Sequence, residues 1–145
     1  MNNVLVSTLF IDSLQKGTFS MLALLRVFGV TIIAIGLLKV VLGARADQLL
    51  DASITDAAVA HPSADSQVRF YGGAFTFFGV VLWMCANDMA RYEPVFQAAM
   101  VVFCAAGLAR VLGAVVRGRP AVTIIGLGAI EVVIPPLLLW WQSAR

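Results

Sequence analysis

The chain is poor in charge. Only 12% of its 145 residues are Asp, Glu, Lys or Arg, about half the share of a soluble domain, while 61% are hydrophobic. That balance excludes an ordinary water-soluble domain. There is a single histidine, His61, and it falls in a loop. No Ser/His/Asp set, no metal-ligand spacing and no phosphate-binding glycine loop occurs, so no catalytic residue, metal or cofactor is assigned and the chain is read as non-enzymatic. The two cysteines, Cys85 and Cys104, lie at different depths of predicted spans, which fits small apolar packing residues rather than a disulfide. Basic clusters are missing too. The net charge of +2 is diffuse, which excludes nucleic acid as a partner. The first fifteen residues carry no Lys or Arg, and the first apolar run is too long for a signal-peptide core; that run is expected to act as an uncleaved insertion signal.

What is present is hydrophobic length. A span needs about 20 apolar residues at 1.5 Å each to cross about 30 Å of hydrocarbon. Four runs qualify, over residues 19–43, 68–87, 94–116 and 121–141. The fold expected is all-α, a four-helix transmembrane bundle filling one membrane domain over residues 19–141, with a short tail at 142–145. Residues 1–18, with Leu5, Leu9, Phe10 and Leu14 at helical spacing, are read as an interfacial or disordered segment. In the first loop Leu49, Leu50, Ile54 and Ala57 also recur at helical spacing. They predict an amphipathic helix on the membrane surface, or else an acidic solvated connector. Ser63 or Asp65 is the expected cap of span two. The other loops are short, and Pro94 and Pro120 suit the first turns of spans three and four; such links make neighbouring spans antiparallel.

Small residues repeat every seven positions: Gly29, Gly36 and Gly43; Gly72, Gly79 and Ala86; Ala99, Ala106 and Gly113; Ala121 and Gly128. That spacing keeps them on one face of each helix, where small side chains let backbones approach without help from lipid. Gly72, Gly73, Gly113 and Gly128 are the expected close-packing positions. "GLLKVVLGAR" (36–45) is similar to "GLARVLGAVVR" (107–117), suggesting two helical hairpins in tandem. Trp83, Trp140 and Trp141 fall toward the side holding the termini, as an interfacial belt would. Lys and Arg are balanced between the two sides and assign no orientation.

The most informative residue is Glu131, midway along an apolar run that ends in two tryptophans. A carboxylate in hydrocarbon costs about 2.5–3.5 kcal/mol on insertion scales, so it needs a partner or a task. Counting from the short third loop, Arg110 lies seven residues deep on the adjacent helix and Glu131 about ten on its own, within an arginine's reach. An Arg110–Glu131 pair is expected. Lys39 and Arg69 are placed in the same half, with Tyr71 contributing a hydroxyl. Three cations around one acid would suit an anionic headgroup or carboxylate; a helix-locking pair is the alternative. Pro135 and Pro136 deprive the carbonyls of Glu131 and Val132 of their helical donors, predicting a kink beside the buried acid.

The stretches "RFYGGAF" and "LARVLGAVVRGRP", and a Glu followed by Pro-Pro in the last span, resemble the bacterial domain-of-unknown-function 4345 family of small four-helix membrane proteins. The likeness covers about Leu22 to Trp140. The positions matching its pattern are Arg69, Tyr71, Gly72, Gly73, Arg110, Gly118, Pro120 and Glu131. It implies a membrane fold, in a bacterial inner membrane, and brings no established activity. Beside the lipid bilayer, the partners expected are a second copy or another membrane protein. The function expected is that of an accessory or scaffold subunit, with the binding or transport of a polar or anionic lipid-like molecule as the alternative.

Overall fold

The computed structural model describes residues 2–144, with side chains from Met21 onward. It is all-α: α1 (Asn2–Leu42), α2 (Arg45–Gln48), α3 (Asp56–Val59), α4 (Pro62–Asn87), α5 (Met89–Arg117) and α6 (Val122–Ser143). Four stretches are long and apolar enough to cross a membrane: Met21–Leu42, Pro62–Asn87, Met89–Arg117 and Val122–Ser143. The protein is therefore membrane-embedded. The backbone of α1 is helical from Asn2, continuous with the span; the side chains of Leu5, Leu9, Phe10 and Leu14 lie outside the described residues.

Helix ends follow local chemistry. Gly43 closes α1 with φ at +59°, a left-handed turn that a residue without Cβ adopts freely, and its N–H donates to Lys39 O at 2.8 Å. The first loop holds two one-turn helices and no continuous amphipathic helix, the first of the two alternatives for this segment. Asp51 Oδ1 accepts from both the backbone N–H and the hydroxyl of Ser53, and Thr55 Oγ1 caps Ala58, so local polar bonds end the helix between Leu49 and Thr55. The cap of α4 is His61, not Ser63 or Asp65: its Nδ1 accepts from Ser63 N–H, and Pro62 takes the first helical position. Asp88 alone separates α4 from α5 and caps α5; the chain bends at Tyr92 before Pro94. Val122 opens α6 with Ala121 as its cap residue, so Pro120 stands just outside.

The helices pack as two antiparallel pairs. α1 lies on α4, α5 on α6, and α4 on α5 joins them. The shared core sits toward the α4–α5 joint, where Met21, Leu25, Leu82, Cys85, Phe96, Met100 and Leu138 are buried. Phe103 joins the pairs, stacked on Phe78 at 5.1 Å and edge-on to Phe28 at 5.7 Å. Toward the opposite end the pairs part: no residue from Leu108 to Gly113 is buried. The two glycine series of α1 and α4 face each other. A Cβ on Gly79 would stand 2.6 Å from Gly29 O, and one on Gly72 would stand 2.8 Å from Gly36 O. The series expected in α5 does not hold. Ala106 is exposed, and Gly113, like Gly73 in α4, faces open space. The buried stripe of α5 runs Phe96, Ala99, Met100, Phe103, Gly107: α5 is turned by the large apolar side chains that fill the core, and Ala106 and Gly113 lie outside that stripe.

Candidate functional site

The pair expected in mid-span is formed. Arg110 Nε donates to Glu131 Oε2 at 2.6 Å between α5 and α6. Each helix makes room for the other's charged residue with a glycine three positions earlier. Gly107, one turn before Arg110, lies against Glu131, where a Cβ would stand 2.8 Å from Glu131 Cβ. Gly128, one turn before Glu131, receives the Arg110 stem, with 3.7 Å from a Cβ to Arg110 Cδ. Helical side chains lean toward their own N-terminus, so on antiparallel helices these two lean toward each other. Gly107 was not singled out as a packing residue in the sequence. Its signal was the spacing shared by "GLAR" (107–110) and "GAIE" (128–131), legible only once the two are placed side by side.

The pair is asymmetric. The Glu131 side chain is 5% exposed, whereas that of Arg110 is 38% exposed on the side where the helix pairs part. Burying an ion costs several kcal/mol even after relaxation, and here the cost falls mainly on the carboxylate. α6 runs unbroken through Pro135 and Pro136. The carbonyl of Val132, which Pro136 cannot serve, accepts instead from the Cys104 thiol at 3.9 Å, a weak bond that gives Cys104 a role its sequence position did not suggest.

The other candidates do not join Glu131. Lys39 is paired with Asp47 of the first loop. Arg69 donates through Nε to Asp65 at 2.6 Å and through Nη1 to the carbonyls of Val40, at 2.5 Å, and Val41, at 3.2 Å. Asp65 in turn accepts from Ala44 N–H at 3.1 Å. Arg69 and Asp65 thus close the carbonyl end of α1, where a cation also suits the helix dipole. Tyr71 is 54% exposed and meets the Phe70 ring edge-on at 5.8 Å. Depth along the chain placed these residues in one half; their azimuth around each helix separates them, and the turn at Gly43 brings Asp47 back within reach of Lys39. Three cations around one acid become three separate pairs.

Among the described residues no group of three His, Cys, Asp or Glu could hold a metal. Neither the curated proteins nor the solved structures yield a match. The family model described as "Domain of unknown function (DUF4345)" matches residues 20–142, which take in the glycine seam, Arg69 and the Arg110–Glu131 pair. The chain belongs to the DUF4345 family.

Proposed function

We propose that this is a multi-pass integral membrane protein, a four-helix bundle acting as a non-enzymatic accessory or scaffold subunit through helix association with a second copy or another membrane protein. The observation that carries this reading is the one-to-one pairing of Lys39, Arg69 and Arg110 with Asp47, Asp65 and Glu131, which leaves these cations no surplus charge for an anionic substrate. On this reading the buried charges hold helices in register. Gly113 on α5 and Gly126 on α6, each with open space where a Cβ would lie, give a further helix room to approach. The test is native mass spectrometry of gently extracted protein. A partner or oligomer lost in Gly113→Leu/Gly126→Leu and kept in Glu131→Gln supports association.

One observation favours a second reading, the binding or transport of an anionic lipid-like molecule at Arg110. Its guanidinium is part-exposed within a span, and among the described residues it bonds Glu131 through Nε alone. An adduct on the wild type that is lost in Arg110→Ala, in protein that still folds, would support this reading over the first.

A further inference from the structure

An open-sided pocket of about 490 Å³ lies where α1 ends and α4 begins, lined in part by the first loop. Its size is that of a small-molecule site. It is separate from the Arg110–Glu131 pair, and nothing said of that pair bears on it. Two of its lining charges, Asp65 and Arg69, are consumed by each other and by the end of α1. Two are not. Arg45 makes no hydrogen bond or ion pair among the described residues. The Asp56 carboxylate accepts from Gln48 Nε2 at 3.0 Å and meets no cation. The same Gln48 amide donates to Ile54 O at 3.1 Å, which fixes its direction and therefore that of the Asp56 carboxylate. Opposite charges, both on exposed residues, thus line one pocket without pairing, and an oriented amide hydrogen-bonds one of them. A ligand carrying both signs satisfies both groups at once; a purely anionic one meets Asp56, and a purely cationic one meets Arg45.

The apolar part of the lining sets the rest of the ligand. Val41 and Leu42 belong to the last turn of α1, and Val59 to α3. Val41 is 70% exposed, and Leu38 and Leu37, one turn farther along the span, are exposed as well. A polar cavity at the end of a membrane span opens there onto an apolar helix face. We infer that this cavity binds the headgroup of a zwitterionic amphiphile, its phosphate on Arg45 and its primary ammonium on Asp56, with an acyl chain lying along α1. Arginine pairs with phosphate through two parallel N–H bonds, and a primary ammonium can donate to the carboxylate.

The test uses the full chain, stripped of lipid in mild detergent and mixed with defined lipids before native mass spectrometry. Dioleoyl phosphatidylethanolamine should be retained at least about tenfold more than dioleoyl phosphatidylglycerol, one charge-assisted contact being worth roughly that factor. Arg45→Gln and Asp56→Asn should each lower phosphatidylethanolamine retention about tenfold. Val59→Trp, which fills the cavity and keeps both charges, should lower it too. Equal retention of the two lipids by the wild type would overturn the proposal, as would unchanged retention in Asp56→Asn or Val59→Trp. Soluble glycerophosphoethanolamine reaching the same occupancy at the same concentration would overturn the amphiphile as occupant.

Discussion

Along α1 and α4 glycine meets glycine, and backbone lies on backbone; along α5 and α6 two glycines, Gly107 and Gly128, each meet a charged residue. Both pairs face the same difficulty, since lipid supplies no hydrophobic drive between helices. The first answers with contact area, gathered by two facing glycine series. The second answers with one buried ion pair, set into two notches. The similar stretches 36–45 and 107–117 sharpen the contrast: in each a glycine is followed three residues later by a cation, Lys39 or Arg110. In α1 the cation turns outward to the loop and the glycine receives backbone. In α5 the cation turns inward and the glycine receives its acid. One local pattern thus serves two packing modes, decided by the opposing helix.

The largest effects should come from the backbone seam. In Gly79→Leu even the Cβ would stand 2.6 Å from Gly29 O and 2.8 Å from Ile33 N, and neither can move without separating α1 from α4. A loss of about 3 kcal/mol or more is expected by denaturant unfolding in mixed micelles, at or above the upper end of overpacking costs. Gly73→Leu, into open space, should stay within about 0.5 kcal/mol. Equal damage from both would erase the distinction between seam and lipid-facing glycines.

Next comes the ion pair. Arg110→Met strands a carboxylate that is 5% exposed and should cost about 3 kcal/mol. Glu131→Gln should cost only about 1 kcal/mol, because an amide oxygen still accepts from Nε and the part-exposed arginine can reach water. Equal costs for the two, in the same assay, would show that the asymmetric burial does not govern the pair. Gly107→Ala presses on Glu131 Cβ and Val132 Cγ2, both 2.8 Å from the new methyl, and should cost about 1–3 kcal/mol. Gly128→Ala meets the Arg110 stem at 3.7 Å, an ordinary contact, and should be near neutral. A reversed order would mean that the notch under Arg110 is the tighter one.

The smallest effect lies outside the spans. The Ser53 hydroxyl, and then its N–H, hold the Asp51 carboxyl below its usual value of 3.8. A depressed value stabilises the loop above pH 3.8 and stops doing so as pH falls through the lowered one. Amide exchange of residues 49–55 should therefore quicken on acidification, and Asp51→Asn should abolish that dependence.

Much of this was legible beforehand. Span number and approximate limits follow from hydropathy and length. The facing series Gly29–Gly36 and Gly72–Gly79 follow from their spacing, and the Arg110–Glu131 pair follows from depth on adjacent antiparallel helices. The first loop stayed open between a helix and a connector because Leu49, Leu50 and Ile54 keep helical spacing while the Asp51–Ser53 bonds compete with the helix locally. A depth count sends Lys39 and Arg69 to the wrong acid: it has no counterpart for the turn at Gly43, which brings Asp47 to Lys39, and it passes over the i, i+4 spacing of Asp65 and Arg69 on α4.

By itself the sequence determined which segments are long and apolar enough to enter a membrane, which residues share a helix face, and how deep each charge lies. These are local quantities, set by hydrophobicity, 3.6 residues per turn and 1.5 Å per residue. Only the tertiary structure decided which way each face points. Rotation about a helix axis is fixed by what the neighbouring helix offers, so the open space at Gly73 and Gly113, the notch at Gly107 and the turning of Lys39 away from Glu131 were settled by packing between helices.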